Sequence, residues 1–339
     1  MYTSEPSPYV SVILVTWNSG AYLPRCLDCL EAQTFKNFEI VLVDNGSEDG
    51  SLEELNAKHP GLILRLERLS ENRGFAAANN IGARLARAPW LALLNTDAFP
   101  EPNWLEMLLQ AAKQYPEFSF FACRQIKTDK PELLDGAGDA YHVSGLAWRQ
   151  LEGWPVNRFG LESVEVFGVC AAAALFSRYS FMQVGGFDED FFSYHEDVDL
   201  SFRLRLHGFR CMYVPEARVN HIGSASTGRA SPFAIYHGHR NLVWNYIKNM
   251  PASLFWLYLP LHLIMNGVFL FYYTLQGQGR AIWRAKRDAL RRFNYMLGKR
   301  REIQSRRKVP SVELYRQMER NWLAPLIIKV KRRSFETNS

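Results

Sequence analysis

Short apolar runs that stop abruptly at polar residues recur through the first half of the chain. Tyr9–Thr16 (YVSVILVT), Phe38–Val43 (FEIVLV), Leu62–Leu66 and Trp90–Leu94 (WLALL) are such runs. A short, continuously apolar run bounded by breakers reads as a strand buried on both faces, the habit of parallel sheets. Helical spacing fills the gaps. Tyr22–Gln33 places Leu23, Cys26, Leu27 and Leu30 on one face, Leu52–His59 is a short helix, and Phe75–Ala86 is Ala-rich. Helix Asn103–Gln114 and strand Phe118–Cys123 continue the series. This alternation predicts an α/β fold with a mostly parallel sheet flanked by helices.

The alternation then lapses. Asp129–Gly160 is rich in Gly, Trp and Arg and reads as an irregular insertion of the kind that forms binding loops. Val164–Ser177 reads as a strand pair or as one strand with a tight approach, and its small residues from Gly168 to Ala174 suggest that backbone or substrate comes close. Asp197–His207 is a helix ended by Gly208, and Cys211–Val214 is a further strand.

Polar residues collect after the strands: Thr16-Trp17-Asn18, Asp44-Asn45 and Asn95-Thr96-Asp97. Ligands of open α/β sheets bind beyond the carboxyl ends of the strands, so these clusters meet where a nucleotide would sit. Neither GxGxxG after the first strand nor GxxxxGK[ST] occurs, against a dinucleotide oxidoreductase and a P-loop NTPase. Asn95 and Asp97 suit a hard cation holding a phosphorylated substrate, or Asp97 simply caps the next helix. Glu196, Asp197 and Asp199 crowd the first turn of their helix. They complement its dipole, or one of them serves as a base. His221 stands at a break between elements.

Composition adds three points. The five cysteines are odd in number and scattered, and Cys26 and Cys29 share a helix face, so they read as core thiols of a reducing compartment. The start of the chain has neither a basic region nor a long apolar run, and no signal peptide is expected there. Charge is polarised: from Gln276 onward 18 Lys and Arg face 5 Asp and Glu, a tail of +13 on a body of −7. Such a tail suits nucleic acid or an anionic membrane equally. Before it, no charged residue lies between Lys248 and Arg280, and Ser253–Leu275 is long enough to enter a bilayer. A helical hairpin bent near Pro260 and lying at an anionic membrane surface is expected, with a soluble helical lobe as the other possibility. The expected organisation is a body at 1–250 and a membrane-associating region at 251–339. The tail lacks RNA-binding motifs and interleaved aromatics, so no nucleic-acid partner is expected.

From about Val10 to Met250 the chain resembles the inverting family 2 glycosyltransferases of GT-A fold. SVILVTWNSG, VLVDNGSEDGS, ENRGFAAANN, LLNTDA, GGFDEDFFSYHEDVDLSFRLRLHG and HGHRNLVWNYIKNMP carry the resemblance in order. It is closest to bacterial rhamnosyltransferase-like members that build cell-surface polysaccharide. The resemblance implies that Thr16, Trp17, Asn18, Asp44 and Asn45 hold base and ribose, with Asn72 and Gly74 along the nucleotide. Asn95 replaces the first acid of the family's Asp-x-Asp motif, leaving Asp97 as principal ligand of Mg2+ or Mn2+ and His221 as a second ligand. Asp197 matches the catalytic base, Glu196 stands beside it, and Arg240 reaches a pyrophosphate. The implied donor is a nucleotide-sugar, dTDP-rhamnose first, then a UDP-hexose or GDP-sugar. The implied acceptor is a glycan or lipid-diphosphate-linked saccharide at the cytoplasmic face of the membrane. A sugar-binding protein that keeps the fold without catalysis is the competing reading, but it retains no reason to keep both Asp97 and Asp197.

Overall fold

The computed structural model describes residues 7–52, 59–223, 231–322 and 324. Its first elements are β1 (Val10–Thr16), α1 (Leu23–Glu31), β2 (Phe38–Asp44), β3 (Leu64–Arg68), α2 (Gly74–Leu85) and β4 (Trp90–Asn95). The expected helix Leu52–His59 falls largely outside the described residues. There follow β5 (Ala98–Pro100), α3 (Trp104–Gln114) and β6 (Phe118–Lys127). One ten-stranded sheet runs in the order β10-β12-β6-β11-β4-β1-β2-β3, with β5 against β12 and β7 against β6. Here β7 is Leu134–Ala137, β10 Val164–Val166, β11 Ala173–Ser177 and β12 Arg210–His221.

Both faces of the sheet are covered, which is why its central strands show no polar alternation. Val12, Leu14, Ile40 and Leu42 join the core under α1 and α3, while Ile13, Val41 and Val43 join the core under α2. The pairings β1–β2, β1–β4, β2–β3 and β6–β12 are parallel. β11 enters between β4 and β6, antiparallel to both.

Three expectations change in detail. The segment Asp129–Gly160 is structured: β7 extends the sheet, and β8 (Asp139–Tyr141) pairs with β9 (Ala147–Arg149) as a hairpin. Its polar, Gly-rich composition hid the pairing because these strands are three or four residues long. The strand expected at Cys211–Val214 runs on to His221 across an irregularity between Val214 and Arg218. The bend expected near Pro260 lies elsewhere, as the C-terminal helices show.

After α4 (Arg178–Gln183) and α5 (Glu196–Leu206), five helices follow among the described residues: α6 (Pro232–Asn249), α7 (Ala252–Tyr273), α8 (Gly279–Arg291), α9 (Phe293–Ser305) and α10 (Ser311–Gln317). Ser231 caps α6, its hydroxyl accepting from the Ala234 N–H at 3.1 Å. α7 passes through Pro260 without a break, and the chain reverses at Gly277, where φ is +75°. Lys286 of α8 donates to the Asn266 side chain of α7 and to the His239 carbonyl of α6, closing the hairpin. The basic tail helices then fold back on the body. Arg300 donates to the Ile247 carbonyl at 2.7 Å, and the Lys308 N–H to the Leu206 carbonyl at 2.8 Å.

Helix α2 sits so close to the sheet that a Cβ at Gly82 would lie 2.5 Å from the Ile13 Cγ2. Gly82→Val should therefore cost about 1–3 kcal/mol by overpacking. Urea unfolding followed by circular dichroism checks this as a lower midpoint at constant slope.

Candidate active site

A cavity of about 450 Å³ opens at the carboxyl ends of β1, β2 and β4. Trp17, Asn45, Asn72, Gly74 and Asn95 line it, as the sequence implied. Thr16, Asn18 and Asp44, also implied to hold base and ribose, do not line it. Asn18 Oδ1 accepts from the Glu48 N–H at 2.8 Å, and Asp44 Oδ1 from the Ser47 N–H at 3.0 Å, so the two stitch together the loops after β1 and β2. Asn45 donates to Asn72 Oδ1 at 2.9 Å and accepts from the Arg73 N–H, which shapes the entry to α2. Gly74 is required there: its φ is +85°, and a Cβ would meet the Phe192 ring at 2.5 Å.

The antiparallel pairing of β12 with β5 brings His221 opposite Ala98, beside Asp97. His221 Nε2 stands 3.5 Å from Asp97 Oδ1, and its Nδ1 is 2.7 Å from Asp135 Oδ2. With Nδ1–H donated to Asp135, Nε2 faces the cavity as a lone pair, the orientation that metal-binding imidazoles are given by a carboxylate behind them. Burial opposes protonation of His221, but the bonds to Asp135 and Asp97 outweigh it and raise its pKa. Asp97, His221 and the phosphates of a nucleotide fit a divalent cation. Among the described residues no three His, Cys, Asp or Glu are placed to hold a metal ion together, so such an ion would take its remaining ligands from substrate and water.

Across the cavity, Phe192, Tyr194 and His195 have φ of 65°, 68° and 64°. Non-Gly residues adopt this left-handed conformation only where surroundings hold them in it. Asn241 does so: its amide donates to the carbonyls of Phe191, Ser193 and Tyr194 at 2.9, 3.0 and 2.7 Å. Arg240, expected at a pyrophosphate, is instead behind the loop and does not line the cavity. Its guanidinium donates to the carbonyls of Asp190 and Phe191 and lies over the Trp244 ring. The resemblance implied a pyrophosphate contact, but helix phase turned the side chain inward.

The held loop delivers Glu196 and Asp197 to the cavity at the start of α5. Asp197 Oδ2 accepts from the Ala171 N–H at 3.3 Å and Oδ1 from the Val198 N–H at 2.8 Å. Burial raises its pKa despite these bonds and the nearby Arg149 charge. Asp199 faces away and is fully buried, bonded to Arg203, Lys248 and Asn249 at 2.8 Å each. Burial would raise its pKa, but the two cations override it and lower it. Asp135, Asp139, Trp148 and Arg149 also belong to the site, and sequence reading did not single them out. Their signal was the Gly/Trp/Arg-rich segment read as a binding loop.

Residues 11–185 match the model of the family described as "Glycosyl transferase family 2", and residues 156–285 that of "Glycosyl transferase family group 2". The N-acetylglucosaminyl-diphospho-decaprenol L-rhamnosyltransferase of Mycobacterium tuberculosis is 31% identical over 67% of this chain and 80% of its own. The chain belongs to glycosyl transferase family 2. This glycosyltransferase is also 31% identical to the validoxylamine A glucosyltransferase of Streptomyces hygroscopicus subsp. jinggangensis, over 59% of this chain and 52% of that one. Among solved structures, the mannosyltransferase of Pyrobaculum calidifontis in complex with GDP-Man and Mn2+ superposes with TM-score 0.53 at 19% identity, covering 98% of this chain and 84% of that one. S. aureus TarS gives TM-score 0.53 at 16% identity over 75% and 42%. These two establish the GT-A fold of the glycosyltransferase.

Asp199→Asn should act on stability. Removing one member of a buried ion cluster costs about 3–5 kcal/mol. Because the folded pKa of Asp199 is lowered, its contribution is present above the ordinary aspartate value of 3.8 and fades as pH falls below it. Unfolding of intact and variant chains compared at pH 7 and near pH 3 checks both statements, the gap being wide at pH 7 and narrow in acid.

Proposed function

We propose that the glycosyltransferase moves a sugar, rhamnose from dTDP-rhamnose in first place, onto a lipid-diphosphate-linked saccharide with inversion at the anomeric carbon. The observation that carries this reading is one cavity with Asp97 and His221 on one side, Asp197 on another, and the Trp17–Asn45–Asn72 cluster at its end. The nucleotide rests on that cluster and at Asn95. Asp97 and His221 would hold Mg2+ or Mn2+, which supplies positive charge against the departing nucleoside diphosphate. Asp197 takes the proton of the acceptor hydroxyl as that oxygen attacks from the face opposite the leaving group. Its carboxylate stays in place because two backbone N–H groups hold it. The rhamnosyltransferase relative, named for a diphospho-decaprenol acceptor, favours rhamnose and a lipid carrier; a UDP-hexose or GDP-sugar is the second choice.

The hairpin of α7 and α8 supports a site at the membrane. α7 is 22 residues long, about 33 Å at 1.5 Å per residue. Only Leu254, Phe255 and His262 are buried, while Trp256, Leu263, Ile264, Phe271 and Leu275 are at least 60% exposed. Reversal at Gly277 returns the chain to the side it left, so the hairpin can dip into one leaflet while body and basic tail stay together at the cytoplasmic face. Arg284, Arg287 and Arg291 on α8 are exposed, placed for anionic headgroups.

The direct test is a panel of sugar nucleotides with Mn2+ or Mg2+ and lipid-linked acceptors. Metal-dependent turnover supports the reading, and full activity in excess EDTA refutes the metal role. Asp197→Asn should keep donor affinity within a few-fold, measured by calorimetry, and lose transfer by about 10²-fold or more. In the intact enzyme the base must be ionised, so transfer is lost as pH falls through the raised pKa of Asp197. The acid limb of the rate profile should therefore lie above 3.8.

Membrane contact has its own readout. Replacing Arg284, Arg287 and Arg291 with Glu should reduce binding to anionic vesicles, and high salt should mimic the change. Equal cosedimentation of intact and variant protein with anionic and neutral vesicles would refute the electrostatic attraction.

A further inference from the structure

The cavity holds polar groups that this reading leaves unused. Asp139, the first residue of β8, is 6% exposed, and its Oδ1 is enclosed without a hydrogen-bond partner. Glu196 Oε2 and His195 Nδ1, which belong to residues lining the same cavity, are enclosed and unpartnered too. Buried polar atoms are almost always paired, so three such atoms around one cavity leave bonds for a ligand with several hydroxyl or amide groups to fill. The opposite strand of the Asp139 hairpin contributes Trp148, whose half-buried side chain also lines the cavity. A broad apolar ring beside hydrogen-bonding groups matches a pyranose, which is apolar on its C–H faces and polar around its edge.

We propose that the β8–β9 hairpin forms the acceptor subsite: Trp148 carries a face of the acceptor sugar, and Asp139, with Glu196 and His195, hydrogen-bonds its hydroxyl or acetamido groups. This rests on the reading of Asp197 as the base. Position favours the acceptor over the donor. The Asp139 backbone pairs with Gly168, at 2.9 and 3.2 Å, just ahead of Ala171, whose N–H bonds Asp197. Burial first, and then the charge of Asp197, raises the pKa of Asp139, so the two carboxyl groups share one environment. Inversion puts the acceptor beside the base and the diphosphate on the far side of the anomeric carbon. Arg149 stands opposite Asp139 across the hairpin, and a neutral sugar hydroxyl accommodates a carboxyl group in either protonation state.

The test uses the full chain and N-acetylglucosaminyl-diphospho-polyprenol in detergent as acceptor probe. Acceptor KM comes from initial transfer rates, and nucleoside-diphosphate Kd with Mn2+ comes from calorimetry. Asp139→Asn and Trp148→Ala should each raise the acceptor KM tenfold or more and shift the nucleotide Kd less than threefold. Trp148→Tyr, which keeps a ring, should recover most of the loss. An acceptor KM within twofold of the intact chain in both alanine and asparagine variants overturns the subsite. A nucleotide Kd that weakens as much as the acceptor KM also overturns it, moving these residues to the donor side. If the intact chain uses no sugar nucleotide with this lipid, the acceptor named under Proposed function fails and the subsite fails with it. Transfer by intact and variant chains alike removes the subsite alone.

Discussion

Three hydrogen bonds from one side chain hold the site together. The Asn241 amide, fully buried in α6, gathers the carbonyls of Phe191, Ser193 and Tyr194. A backbone with Phe192, Tyr194 and His195 in the left-handed region costs about 1–3 kcal/mol per residue when nothing compensates. Here the compensation is local, because a neutral amide satisfies carbonyls that the loop cannot pair within itself. Arg240 adds two more bonds to the same segment. The result is a helix start that arrives in the cavity at a fixed height, with Glu196 and Asp197 turned in and Asp199 turned out.

That single turn of helix divides three acids by environment. Asp199 meets Arg203 and Lys248 in the interior and is held ionised. Asp197 meets two N–H groups and the open cavity, and burial leaves it easier to protonate than an ordinary aspartate. Glu196 is buried with one oxygen unpartnered, and burial followed by the Asp197 charge raises its pKa well above the usual range. Identical chemistry in sequence thus becomes a structural ion, a candidate base and a candidate sugar contact. Opposite them, Asp135 turns His221 so that its Nε2 meets Asp97.

The C-terminal helices are tied into this arrangement. Lys299 of α9 bonds both Asp188 and Asp190, and Lys248 of α6 bonds Asp188, directly ahead of the held loop. The hairpin with the exposed apolar face springs from the same packing, since Leu254 and Phe255 at the start of α7 share a core with Val198 and Phe202 of α5. The exposed apolar surface and the candidate catalytic turn therefore rest on one packed core.

Much was legible in the sequence. Periodicity located the strands because a sheet covered on both faces demands unbroken apolar runs, and several of the polar residues that end them line the cavity. Asp97, His221 and Asp197 were found in the same way, as acids and a histidine at element boundaries. Other features were decided by contacts remote in sequence. Antiparallel insertion of β11 and the inward phase of Arg240 depend on partners far away in the chain. Local pattern records whether a residue is buried or at a break, because those follow from its own solvation and backbone preference. It does not record which buried group a side chain will meet, and that meeting made Asp199 structural, gave Asn241 its three carbonyls and left the Asp139 Oδ1 without a partner.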